Sequence, residues 1–296
     1  GLTCGREEVE ITERALDEPT VWQSHQTIIL REYLDVSSEL IIEECAEVRM
    51  HDDGAIYVMD DGAIKSQGTA EHPVTFTSSE TTPAAGDWRN IEIQSTAALD
   101  SSFDHTIFEY GGGGLSAYGM LYVEGGATVA VTNSTFRDGQ MHAVDLDDGA
   151  IVTDFTGNSF ENIEAHLIRV YPDAVASLSP ITSTNNASEI VLVMGGDTIA
   201  DGTWSDLSVP YETAGYIYIL SDITVEGGVT LLMGDDLAIY VEDLGTLILD
   251  GTSNAHITVT SAQATPGAGD WRNIEIHDSA STNSRFSFTD FNYGGA

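Results

Sequence analysis

The chain has little of what most binding and catalytic chemistry is built from. Lysine occurs once, at Lys65, and the 10 basic residues face 48 acidic ones, for a formal net charge of −38. That balance repels phosphate backbones and anionic lipid surfaces, so nucleic acid is excluded as a partner. No apolar run approaches the ~20 residues needed to cross a bilayer as a helix, which argues against membrane insertion. Cysteine occurs twice, at Cys4 and Cys45, too few for a disulfide scaffold and without a Cys-x-x-Cys spacing. Gly-x-Ser-x-Gly, His-Glu-x-x-His and a phosphate-binding glycine loop are all missing. No segment keeps a 3.6-residue apolar period, so long amphipathic helices are excluded too.

What remains is short β-runs separated by Gly and Asp turns. Leu40-Ile41-Ile42, Ile56-Tyr57-Val58, Val74-Thr75-Phe76-Thr77, Ile91-Glu92-Ile93 and Leu121-Tyr122-Val123 are rich in β-branched and aromatic residues, which predicts strands. Two periods organise them. Thr132–Val144 matches Thr156–Ile168 at an offset of 24, placing Phe136 on Phe160, His142 on His166 and Val144 on Ile168. Three strands of about 4 residues with their turns fill such a period, the pattern of a solenoid stacking one coil per repeat.

The longer period is 183 residues. Gly-Asp-Trp-Arg-Asn-Ile-Glu-Ile occurs at 86–93 and again at 269–276, and Ala55-Ile56-Tyr57-Val58 recurs as Ala238-Ile239-Tyr240-Val241. Phe103, Thr106, Phe108 and Tyr110 fall on Phe286, Thr289, Phe291 and Tyr293. The expected organisation is a short N-terminal capping segment at 1–19, one repeat copy at 20–202 and a second, incomplete copy at 203–296. Residues 1–17 suit either a strand, from the alternation of Val9 and Ile11, or a Glu-rich helix. Copy two stops where copy one continues, and an open last coil predicts self-association through exposed strand edges, or further chain.

The order Ile41-Ile42-Glu43, Val48-Arg49-Met50, Gly62-Ala63-Ile64, Gly68 through Thr77, Gly86-Asp87-Trp88 and Phe108-Glu109-Tyr110-Gly111-Gly112 resembles the right-handed parallel β-helix repeat regions of large bacterial secreted and cell-surface proteins. The resemblance implies an all-β solenoid of about 24 residues per coil, located extracellularly or at the cell surface. It implies activity weakly, since such repeats serve adhesins, structural surface proteins and carbohydrate-active enzymes alike. Arg89-Asn90 and Arg272-Asn273 depart from it, standing where small glycines are usual.

Candidate sites follow. Trp88, Arg89, Asn90 and their counterparts Trp271, Arg272 and Asn273 form a candidate glycan-binding set, the indoles as stacking platforms or else as packing that fixes register. The arginines are expected to pair with nearby carboxylates such as Glu92 and Glu275. Asp52-Asp53-Gly54, Asp60-Asp61-Gly62, Asp147-Asp148-Gly149 and Asp235-Asp236 read as turns, with calcium as the possible ion. His142 and His166 stack one coil apart without an evident third metal ligand. Asn133-Ser134-Thr135 and Asn186-Ala187-Ser188 match the glycosylation triplet. Cys45 stands where copy two has Gly228, which suggests a Cys4–Cys45 disulfide and an oxidising compartment.

Polyuronate lyases and hydrolases on this fold need cationic groups around an acidic sugar, which this composition lacks. The Asn-Thr-Asp, Gly-His-Gly and Arg-Ile-Lys motifs of polygalacturonases are also missing. No catalytic residue and no cofactor is expected. The function anticipated is a non-catalytic structural or adhesion module, with a carbohydrate-binding or carbohydrate-active protein as the alternative.

Overall fold

The computed structural model describes Cys4, residues 7–114 and residues 118–296. Gly1–Thr3, Gly5, Arg6 and Leu115–Ala117 lie outside the described residues, Arg6 among them from the N-terminal segment. The chain forms two compact units, residues 1–168 with 181–188 and residues 169–180 with 189–296. These do not coincide with the sequence copies. A repeat boundary follows from sequence identity, whereas a unit follows from packing. Thr182–Thr184 pairs with Ser159–Glu161 and so joins the first unit. The 3₁₀ turn Pro172–Ser177 just before it contacts Gly196–Thr198 and Gly202–Trp204 of the second.

In the first unit three parallel sheets form the faces of a coil. One runs in order from Glu7–Ile11 through Gln26–Leu30, Glu47–Met50 and Val74–Ser78 to Thr182–Thr184. Another includes Ala15–Leu16, Leu34–Val36, Ile56–Val58, Ile91–Ile93, Leu121–Val123 and Val144–Leu146. The third links Thr20–Trp22, Glu39–Glu43, Ala63–Gln67, Ser101–Asp104, Thr128–Thr132 and Ile151–Asp154. The second unit repeats the plan with shorter sheets, such as Gly196–Thr198, Ile217–Ile219, Ile239–Val241 and Ile274–Ile276. Among the described residues no helix is long and apolar enough to cross a membrane.

The described part of the N-terminal segment is strand and not helix, and it pairs along the first edges of the coil. Val9 lies opposite Ile28, Leu16 opposite Val36 and Thr20 opposite Leu40. The alternation of Val9 and Ile11 prevails because a neighbouring strand is present to pair with it.

Coil length varies more than the 24-residue offset suggests. Val9, Ile28, Val48, Phe76, Phe108, Phe136, Phe160 and Ser183 occupy one column. The column spans 183 − 9 = 174 residues in seven steps, about 25 per coil, because strands stay constant in length while turns absorb insertions. Side chains alternate along the strands: Ile56 and Val58 are buried while Tyr57 points out, and Phe136 is buried between Thr135 and Arg137. The inward column builds a phenylalanine stack, with centroids 5.4 Å apart for Phe76–Phe108, 4.5 Å for Phe108–Phe136 and 5.4 Å for Phe136–Phe160. Each buried ring contributes about 1.5–3 kcal/mol from burial. Corners are closed by side chains as well. The buried Asn158 accepts from Ser134 N at 3.0 Å through Oδ1 and donates from Nδ2 to Val131 O at 2.8 Å, satisfying backbone groups the strands leave unpaired.

Candidate binding site

In the strands Ile56–Val58, Ile91–Ile93, Ile239–Val241 and Ile274–Ile276 the middle residue lies on the outer face. This places Tyr57 beside Glu92 on the first unit and Tyr240 beside Glu275 on the second, in the same strand register. Asp53 and Asp236 sit at left-handed turn positions, φ 63° and 56°, just before those tyrosine strands. From one coil further on an arginine reaches back to each. Arg89 donates from Nε to Asp53 Oδ1 at 2.9 Å. Arg272 grips Asp236 with two bonds, Nε to Oδ1 at 2.7 Å and Nη2 to Oδ2 at 2.6 Å. The aspartate bond raises the pKa of both guanidinium groups, and the Arg272 bond holds the Asp236 carboxyl below the usual range. The pairing runs across coils to the aspartate turns, correcting the expected partners Glu92 and Glu275. A guanidinium on the rim between two strands reaches the turn of the preceding coil more directly than a carboxylate on its own coil.

A second tyrosine completes each cluster. Tyr33 lies 6.1 Å from Tyr57, centroid to centroid, with ring planes at 56°. Tyr216 lies 5.8 Å from Tyr240 at 47°. Arg14 stands over Tyr33 at 5.0 Å and Arg272 over Tyr216 at 5.6 Å, so both outer rings carry a cation on their faces. Tyr57 is also within hydrogen-bonding reach of Arg89, and Tyr240 of Arg272. Six residues thus recur at the 183-residue offset: Tyr33/Tyr216, Asp53/Asp236, Tyr57/Tyr240, Arg89/Arg272, Asn90/Asn273 and Glu92/Glu275.

The two clusters differ around the glutamate. Asn90 is buried, and its Nδ2 reaches Glu92 Oε2 at 3.5 Å, while Gln94 Nε2 donates to Glu92 Oε1 at 3.2 Å. Burial, with repulsion from Glu124, raises the Glu92 pKa against those two hydrogen bonds. In the second unit Asn273 is exposed. His277 replaces Gln94 and stands 3.1 Å from Glu275 and 3.5 Å from Glu242. The first unit extends the row through the stacked Tyr118 and Tyr122, 4.1 Å apart at 3°, and the second through Tyr218, stacked on Tyr240 at 5.4 Å and 21°. In the first unit the Tyr122 hydroxyl donates to Asp147 Oδ2 at 3.2 Å.

The tryptophans do not serve as platforms. Trp88 and Trp271 are 0% and 4% exposed, and their Nε1 groups donate to the carbonyls of Glu109 and Asn292, each at 2.8 Å. A Cβ on Gly111 or Gly294 would sit 2.5 or 2.7 Å from the indole, so glycine is required where the ring passes under the backbone. The indoles fix register, and the tyrosines supply the accessible faces. Tyr33 and Tyr57 are absent from the candidates read from the sequence, and Asp53 stands among them only as an ion-binding turn. Their signal was an identity at the long offset combined with an outward-facing parity.

Other candidates disperse. The Asp53 and Asp236 turns are engaged by arginine. His142 and His166 lie 5.5 Å apart, centroid to centroid, at 31°. Asn133 Nδ2 donates to Asp104, and Asn186 Nδ2 donates to the Phe160 carbonyl, so both triplet asparagines hold corners together. Cys4 and Cys45 are placed as a disulfide with Cα atoms 5.2 Å apart.

A family described as "pectate-lyase like beta helix domain" matches residues 15–119. No curated protein and no solved structure matches the chain significantly. The matched stretch includes every member of the first cluster, from Tyr33 to Glu92. With its coils of exclusively parallel strands, the chain is a parallel β-helix repeat protein, similar over residues 15–119 to the pectate-lyase-like β-helix domains.

Proposed function

We propose that each unit binds a neutral saccharide on its Tyr–Arg–Glu cluster, without turnover. The observation that carries this reading is the retention of six residues in both copies. Outward positions elsewhere are mixed: Ile41/Thr224, Arg49/Leu232 and Lys65/Ile248 have drifted, whereas Glu43/Glu226 and Thr75/Thr258 have not. Interior packing does not demand outward tyrosines, so a shared ligand accounts for them better than the fold does. Paired tyrosine rings offer apolar surface to a sugar face and hydroxyls at the rim. The arginine, immobilised by its aspartate, donates in a fixed direction, and the glutamate accepts. The arginine–aspartate pair is neutral overall, and the surrounding charge disfavours an acidic sugar. With that aspartate committed to its arginine, the carboxylates beside the glutamate are Glu124 near Glu92 and Glu242 across His277 from Glu275, the pairs that any acid–base work would have to use. The Cys4–Cys45 pairing supports an oxidising, extracellular setting.

A glycan array followed by calorimetry tests this. The expected result is a stoichiometry of two per chain, falling to one in Tyr57→Ala or Tyr240→Ala and to none in the double variant. Binding that survives the double variant unchanged overturns it, as does release of reducing ends from the bound glycan.

A second reading rests on the exposed rings Phe286, Phe288, Phe291 and Tyr293. These present an apolar face suited to association between chains. Light scattering across a concentration series distinguishes a chain that associates from one that stays monomeric.

A further inference from the structure

A side-chain cluster apart from both saccharide sites joins the two cysteines to a histidine. Nδ1 of His72 lies 3.6 Å from Sγ of Cys4. The ligand atoms of Cys4, Cys45 and His72 all fall within 4.8 Å of one another. Among the described residues this is the group of three or more potential ligands close enough to hold one ion.

The duplication shows that the fold does not need these side chains. At the 183-residue offset Cys45 corresponds to Gly228 and His72 to Ala255. The turn that carries His72 is closed by reciprocal backbone bonds to Thr69, both 3.1 Å, and the Thr252–Ala255 turn closes the same way at 2.9 and 3.2 Å. Gly228 takes φ +99°, and Cys45 takes φ +70° at the equivalent point. Glycine fills such a position freely, whereas a side chain there costs conformational energy. A disulfide accounts for both cysteines at that cost. It does not account for the histidine, which arrives at the same spot in the same copy and is half-buried against Cys4.

We propose that the reduced chain binds a borderline or soft metal ion, zinc being the representative case, through Cys4, Cys45 and His72. Two thiolates and one imidazole make a three-ligand set that leaves one tetrahedral position open to water. The disulfide and the metal site are then alternative states of one cluster. Conversion takes two electrons: a dithiol closes to its own disulfide, or a phosphine takes oxygen from water, and the S–S bond becomes two thiols. The ion displaces both thiol protons on binding. His72 serves as ligand in one state and lies against the disulfide in the other.

The test uses the full chain, oxidised or reduced with a phosphine that is then removed, titrated with cadmium or cobalt. Reduced protein is expected to develop a thiolate-to-metal charge-transfer band saturating at one ion per chain, and oxidised protein none. His72→Ala is expected to weaken binding by about tenfold or more. Cys45→Gly, which restores the residue of the other copy and keeps the backbone fit, is expected to abolish the band. Circular dichroism of each sample verifies that the β-structure persists. The proposal is overturned if folded, reduced protein shows no band, if His72→Ala binds as tightly as the parent, or if the oxidised chain binds equally.

Discussion

Phe108 and Phe291 are the same position in two copies of one sequence, yet the structure gives them opposite surroundings. Phe108 is 0% exposed, sandwiched between Phe76 and Phe136, with Phe103 edge-on at 5.3 Å. Phe291 is 46% exposed and touches only Phe286 among aromatic rings, at 5.7 Å. Truncating a buried phenylalanine to alanine costs about 3–5 kcal/mol, and the three aromatic neighbours place Phe108→Ala at the upper end. Phe291→Ala leaves no enclosed cavity and forfeits about half the transfer term, or roughly 1 kcal/mol. The expected gap between the variants is therefore about 3 kcal/mol or more. Urea unfolding followed by tryptophan fluorescence measures it, with circular dichroism checking whether the units unfold together, since coil arrays need not be two-state. Equal losses for the two variants would refute the reasoning, because sequence identity rather than local packing would then set the cost.

Further expectations follow from single contacts. Trp88→Phe keeps the apolar body but leaves the buried Glu109 carbonyl without its donor; a loss of about 1–3 kcal/mol is expected, with saccharide binding unchanged. The raised pKa of Glu92 means that the folded state favours its protonated form. Its contribution is therefore fully present below the ordinary glutamate value of about 4.3 and is lost as pH rises through the higher folded value. Glu92→Gln is accordingly expected to raise the melting temperature at neutral pH and to have little effect at acid pH; the reverse order contradicts the burial argument. Cys4→Ser opens a loop between residues separated by 41 positions and is expected to cost up to about 4 kcal/mol, read from denaturation midpoints with and without reductant. Arg272→Ala frees Asp236 and uncovers Tyr216; calorimetry is expected to show the second saccharide site lost and the first retained.

Much of the architecture was legible because a solenoid is nearly one-dimensional. Each coil contacts its neighbours, so a period in the sequence is a period in space. The alternation in Ile56-Tyr57-Val58, the Phe136–Phe160 offset and the 183-residue duplication give strands, stacking and repeat without any long-range information. The same logic failed at the N-terminus, where Val9 and Ile11 carry too few anchors to declare a strand until Ile28 is beside them.

The amino-acid order alone determined that the chain is all-β, coiled, duplicated and strongly acidic, since each property is local or periodic. Tertiary structure decided which repeated residues face water. It buried Trp88 under Gly111 and left Tyr57 outside. It also drew Arg89 to Asp53, 36 residues away in the chain and one coil away in space. Turn lengths differ from coil to coil, so the register that brings an arginine over an aspartate depends on how many residues each corner absorbs. That number is fixed only when the strands pair.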